Sequence, residues 1–179
     1  MRFLALILSI FVFSSSAFAQ PLGIDFKRMP VGTQIHLQSW NGDKTIETFV
    51  GKKGKFYLTK VWVARKGRSY TGQNRYNLNG QLVRWNSGGS YVETYRPYSC
   101  AFQLGNCTHK AKSTNGSGAT WSLNTVRKGS TLTITAKRPR DSDYRVNTLT
   151  LGKYNLRMEN RWTYRGQKRW TRIVKIVEP

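Results

Sequence analysis

Carboxylates are the scarce side chains of this sequence: its 179 residues hold 8 Asp and Glu against 30 Lys and Arg. Apart from Asp141 and Asp143, which lie among Arg138, Arg140 and Arg145, the acids are isolated. That leaves little for paired-carboxylate acid–base chemistry. Histidine is almost missing too, with only His36 and His109. Without an H-E-x-x-H motif or a Cys/His array, the common zinc sites are excluded, and no metal or cofactor is expected. Gly116-Ser117-Gly118 is too short for a G-x-S-x-G nucleophile elbow. No apolar run reaches the roughly 20 residues that cross a bilayer as a helix.

The longest apolar run, Phe3 to Phe13 broken by Ser9, stands behind Arg2 and ahead of Ala17-Phe18-Ala19. This is the layout of a secretory signal peptide, cleaved after Ala19. The sequence therefore divides into a signal peptide (1–19) and one β-rich domain (20–179), periplasmic or secreted. Loss of the signal removes only Arg2 and leaves a net charge of +21 from the +22 of the whole chain. Hydrophobic residues at 39% and aromatics at 13% argue for a folded core despite that charge. The only two cysteines, Cys100 and Cys107, flank a Gly-Asn turn and are expected to form one disulfide stapling a hairpin or loop.

After the signal, polar turn residues punctuate the chain every 8–12 residues, and the segments between them alternate with period two. Thr131–Lys137 sets Leu132, Ile134 and Ala136 against Thr133, Thr135 and Lys137. In Leu156–Arg165 the apolar Leu156, Met158, Trp162 and Tyr164 share a face with Asn160, opposite Arg157, Glu159, Arg161, Thr163 and Arg165. A helix would mix these two sets. The chain then resumes with Trp170, Val174 and Ile176 on one face. Asn41-Gly42 and Asn79-Gly80 suit type I′ hairpin turns. Lys55–Arg65 is apolar enough on both faces to be a strand covered on both sides. The pattern predicts an all-β fold: a single antiparallel barrel, lipocalin-like and up-and-down, of about 8–10 strands, with a β-sandwich as the alternative. Lys60, Arg84, Arg161 and Lys175 interrupt mid-strand positions, against the unbroken apolar band of an outer-membrane barrel.

Basic residues are the strongest functional signal. Between Lys153 and Lys175 there are eight cations and one anion, Glu159. Alternation places Arg157, Arg161, Arg165, Arg169 and Lys175 on one basic face, suited to phosphate or carboxylate groups. Trp62, Trp85, Trp121, Trp162 and Trp170 are candidate lining for a cavity inside the barrel. The expected function is non-catalytic binding of an anionic or amphiphilic envelope component: a lipid, lipopolysaccharide or another polyanion, with the membrane surface a further partner. One alternative is an envelope hydrolase using His109 and Glu93, or Cys107 as a nucleophile two residues from His109. Another is a nucleic-acid binder, against which the alternation of Trp162 and Tyr164 with Arg161 and Arg165 argues.

Gly72-Gln-Asn-Arg75-Tyr76-Asn-Leu-Asn-Gly80-Gln-Leu82-Val-Arg84 resembles one unit of the tyrosine-aspartate repeats of large secreted shell proteins, with Asn77 in place of Asp. The resemblance implies a hairpin joining a Tyr-Asn strand to a Gly-x-Leu strand, and no function.

Overall fold

The computed structural model describes residues 22–86, 88–137, 144–164 and 166–179. The expected signal peptide therefore lies outside the described residues, as do Arg165, Asp141 and Asp143. Twelve strands follow one another: β1 (Gln34–Ser39), β2 (Lys44–Lys53), β3 (Phe56–Arg65), β4 (Arg68–Tyr76), β5 (Leu82–Asn86) and β6 (Val92–Arg96) make the first half. The second half is β7 (Gly105–Ser113), β8 (Gly118–Lys128), β9 (Thr131–Lys137), β10 (Tyr144–Leu151), β11 (Arg157–Tyr164) and β12 (Gln167–Val177). Each pairs antiparallel with its sequence neighbour, and β1 pairs with β12 to close the barrel. The up-and-down barrel is the expected fold, with more strands than the sequence suggests.

Two of the strands, β7 and the first half of β4, carry no apolar alternation. Their inward positions explain why: Cys107, His109, Ala111 and Ser113 in β7, and Tyr70, Gly72, Asn74 and Tyr76 in β4. Small and polar residues on an inner face hide the period-two signal that apolar ones would print.

The turns also differ in detail. At Asn41-Gly42 and Asn79-Gly80 only the glycine has positive φ (84° and 70°), giving a glycine bulge rather than a type I′ turn. Lys66 (φ 48°) and Gly67 (φ 73°) form a turn with both residues left-handed. In the β4–β5 hairpin, Asn77 Oδ1 accepts the backbone N–H groups of Asn79 and Gln81, at 3.0 Å each.

A barrel of eight strands is filled by its own side chains, whereas twelve enclose a wider bore. At the end where β1 begins, residues 22–33 fill it. Phe26 packs on Phe49, Tyr57 and Tyr76 with ring centroids 4.9, 5.1 and 4.9 Å apart. Leu22 N–H donates to Phe102 O, Ile24 N–H to Gly80 O and Asp25 N–H to Tyr154 O, at 2.9, 3.0 and 2.9 Å. The plug lies so close to the β4–β5 turn that a Cβ on Gly80 would sit 2.0 Å from Ile24 O, so no other residue fits there. Around this end Met29, Ile35, Phe102 and Leu156 complete one buried cluster. Leu22, Cys100, Leu123, Leu132, Ile134 and Leu149 form a second. The Cys100–Cys107 disulfide ties the short 3-10 turn Cys100–Phe102 to the start of β7.

Bulges redirect two expected faces, and a third strand is less covered than expected. A register shift between Thr150 and Leu151 places Arg157 opposite Leu151 and turns it inward, leaving Met158 as the extra residue. A second, at His36 and Leu37, leaves Val174 unpaired between Ile173 and Lys175. Arg169, Thr171, Ile173 and Ile176 thus point inward, while Trp170, Val174 and Lys175 point outward. In β3, Tyr57, Thr59, Val61 and Val63 are buried inside, but Trp62 is 38% exposed on the outer face. That strand is covered on one side only.

Candidate ligand-binding interior

Strand register points Trp85, Glu93, Tyr95, Ala119, Trp121, Ala136, Asn147, Asn160, Trp162 and Arg169 into the bore. Every one of them is nevertheless only half-buried. Inward side chains of a closed barrel keep accessible surface only where the bore is not filled. The interior away from the plug is therefore open space with an aromatic and polar wall. Buried Asn147 Oδ1 and Asn160 Oδ1 have no hydrogen-bond partner among the described residues. A buried amide oxygen without a partner costs on the order of 1–3 kcal/mol, which a ligand or water donor in the bore relieves.

Arg157 stands at the boundary between plug and open space. Its guanidinium lies over the Phe102 ring, 3.8 Å from the centroid, and Nη2–H donates to Ala101 O at 2.6 Å. Among the described residues no carboxylate lies within ion-pair distance of it. Burial lowers its pKa to about 10, against the opposing influence of Tyr76 and Tyr95. A guanidinium with five N–H donors spends one here on a carbonyl. The remaining fork is available to a carboxylate or phosphate.

Among the described residues, Glu47 and Glu93 share this interior, and each is engaged. Glu47 Oε1 accepts from the Thr59 hydroxyl, from Asn74 Nδ2–H at 3.0 Å and from the Tyr76 hydroxyl at 2.8 Å. Glu93 Oε2 accepts from the Tyr95 hydroxyl at 2.9 Å. Burial first, and then the adjacent carboxylate, push both tyrosine pKa values up, so both phenols stay neutral donors. His109 meets Tyr95 edge-on at 5.4 Å, and its Nδ1 accepts the Cys100 N–H at 3.2 Å. It is 6% exposed rather than on the surface, and burial lowers its pKa to about 4.

The expected basic face does not assemble. Arg157 and Arg169 point inward, whereas Arg161 and Lys175 point outward, because the bulges in the β10–β11 and β12–β1 pairings shift the alternation. Arg161 is ion-paired with Glu159 at 2.9 Å. The tryptophans divide in the same way. Trp85, Trp121 and Trp162 line the bore, whereas Trp62 and Trp170 sit on the outside and line no cavity within it. His109 and Glu93 do meet, through Tyr95. The disulfide removes Cys107 as a nucleophile, since no thiol remains. Sequence reasoning missed Arg157 as an interior residue, together with Tyr76, Tyr95, Asn147 and Asn160. The polar Asn160 among apolar neighbours was the one visible sign that the inner face is not simply core.

No protein-family model matches this chain, and no curated protein matches it significantly.

Proposed function

We propose that this protein is an exported, non-catalytic barrel that takes an anionic amphiphile into its bore, with the acidic group of the ligand at Arg157 and its apolar part along Trp85, Trp121 and Trp162. The observation that carries this reading is the half-buried guanidinium of Arg157, turned inward by a bulge and without an ion-pairing carboxylate among the described residues. A half-buried cation without a counter-charge carries a desolvation penalty that an anionic ligand offsets. The half-buried tryptophans supply apolar area next to it, and the amide oxygens of Asn147 and Asn160 can accept from hydroxyl or amide groups of the ligand. A hydrolase centred on His109 and Glu93 fits less well. His109 Nδ1 is occupied by a backbone N–H, and Glu93 by Tyr95.

Native mass spectrometry of the purified protein, followed by solvent extraction of the same sample, tests this. The expected result is a discrete bound mass that is released by solvent, carries a carboxylate or phosphate, and is missing from Arg157→Met. A bare wild-type protein that also fails to bind added dodecanoate or dodecyl phosphate overturns it.

A further inference from the structure

The outside of the barrel carries a second feature, independent of the bore. Across β12, β1, β2 and β3 the register aligns Lys175, His36, Ile46 and Trp62 in one row, all facing outward. The neighbouring row is Arg172, Gln38, Lys44 and Ala64. Trp62 is 38% exposed and Val174 54%, and with Ile46 they line a shallow groove of about 220 Å³. Lys44, Lys60, Arg172 and Lys175 surround it, all exposed, and none has an ion pair among the described residues. The acids near this face are engaged: Glu47 points into the bore, Asp43 is buried against Arg65, and Glu159, across from Arg172 on the outer wall, pairs with Arg161.

An apolar centre with a tryptophan and a cationic rim is complementary to the interface of an anionic bilayer. Tryptophan favours the headgroup level, and each Lys or Arg near an anionic leaflet gains from its surface potential. A second copy of the same face would meet it with like charge. A neutral glycan would find no carboxylate among the described side chains of this face to accept its hydroxyls. We infer that the outer face of β12, β1, β2 and β3 is a docking surface for anionic lipid bilayers, with Trp62 as its interfacial anchor. The barrel lies on the membrane rather than across it, since Arg75, Lys110 and Lys112 interrupt the outer wall at exposed positions elsewhere in the strands.

Co-sedimentation with phosphatidylcholine vesicles, with and without phosphatidylglycerol, tests the inference. Wild type is expected to partition onto the phosphatidylglycerol vesicles and to lose that binding in high salt. Trp62→Ala weakens it about tenfold, as the area lost from an interfacial indole implies. Replacing Lys44, Lys60 and Lys175 by Gln weakens it about a hundredfold, at roughly fivefold per cation. Val126→Ala, an exposed position on β8, leaves it unchanged, and Arg157→Met does too, which separates this surface from the bore. Wild-type failure to bind, or an equal loss in Trp62→Ala and Val126→Ala, overturns the inference. Capture of a protein partner that Trp62→Ala abolishes, with vesicles left unbound, also overturns it.

Discussion

At one end of the barrel, Phe26, Phe49, Tyr57 and Tyr76 interlock ring against ring, and the chain between Leu22 and Met29 ties itself to the rim by backbone hydrogen bonds. At the other, Trp85, Trp121 and Trp162 point into the same bore yet remain half-exposed, beside amide oxygens without partners. The same strands make both ends. The difference is the filler: a dozen residues of chain enter at one end and supply the side chains that twelve strands cannot supply for themselves. The capped end is therefore where stability resides. The open end holds the groups whose burial is unfinished, and unfinished burial is what a ligand completes.

Truncations at the two ends should separate these roles. Phe26→Ala removes the centre of the capped cluster and is expected to cost about 3–5 kcal/mol, read from the shift of a denaturant midpoint at constant slope. Opening the disulfide with Cys100→Ser and Cys107→Ser should cost about 2–3 kcal/mol by loop entropy, again at the capped end. Trp162→Ala deletes a larger ring from the open wall, yet should cost only about 1–2 kcal/mol, because much of that ring already faces solvent. Equal losses for Phe26→Ala and Trp162→Ala would erase the contrast between the ends.

Arg157→Met sharpens it further. The methionine keeps most of the stem on Phe102 and deletes an unpaired charge, so stability should move by less than about 1 kcal/mol, in either direction. Binding of dodecanoate by calorimetry should nonetheless fall at least about tenfold. A large loss of stability would make Arg157 a structural part of the cap instead.

His109 gives the smallest effect at neutral pH and a definite one in acid. Its folded pKa of about 4 lies below the ordinary 6.5, so on acidification the unfolded chain takes up its proton first. Stability from this group is therefore constant above about 6.5 and falls as the pH drops from there to about 4. The physical reason is that burial disfavours the charged, protonated ring. Urea melts across this range should show a shallower pH slope for His109→Gln than for wild type. Identical slopes would mean that the ring reaches water.

Much of this protein was legible in its residues. The alternation in Thr131–Lys137, the Gly-rich turns and the missing helical period dictate an antiparallel barrel, because side chains of a strand must alternate between core and solvent. The cysteine pair likewise implied its own disulfide. The width of the barrel was not legible, because β7 and β4 face inward with His109, Ser113, Gly72 and Asn74, which read as loop until a plug and a polar interior account for them. Nor was the side on which each cation lies. One extra residue at Met158 and another at Val174 reverse the alternation, and local sequence does not announce a bulge whose cause is the register of a neighbouring strand. Composition by itself determined the strand-rich fold and the excess of positive charge. Only the closed tertiary structure decided that Arg157 faces inward and Trp62 outward, since facing is a property of pairings between strands and not of any strand alone.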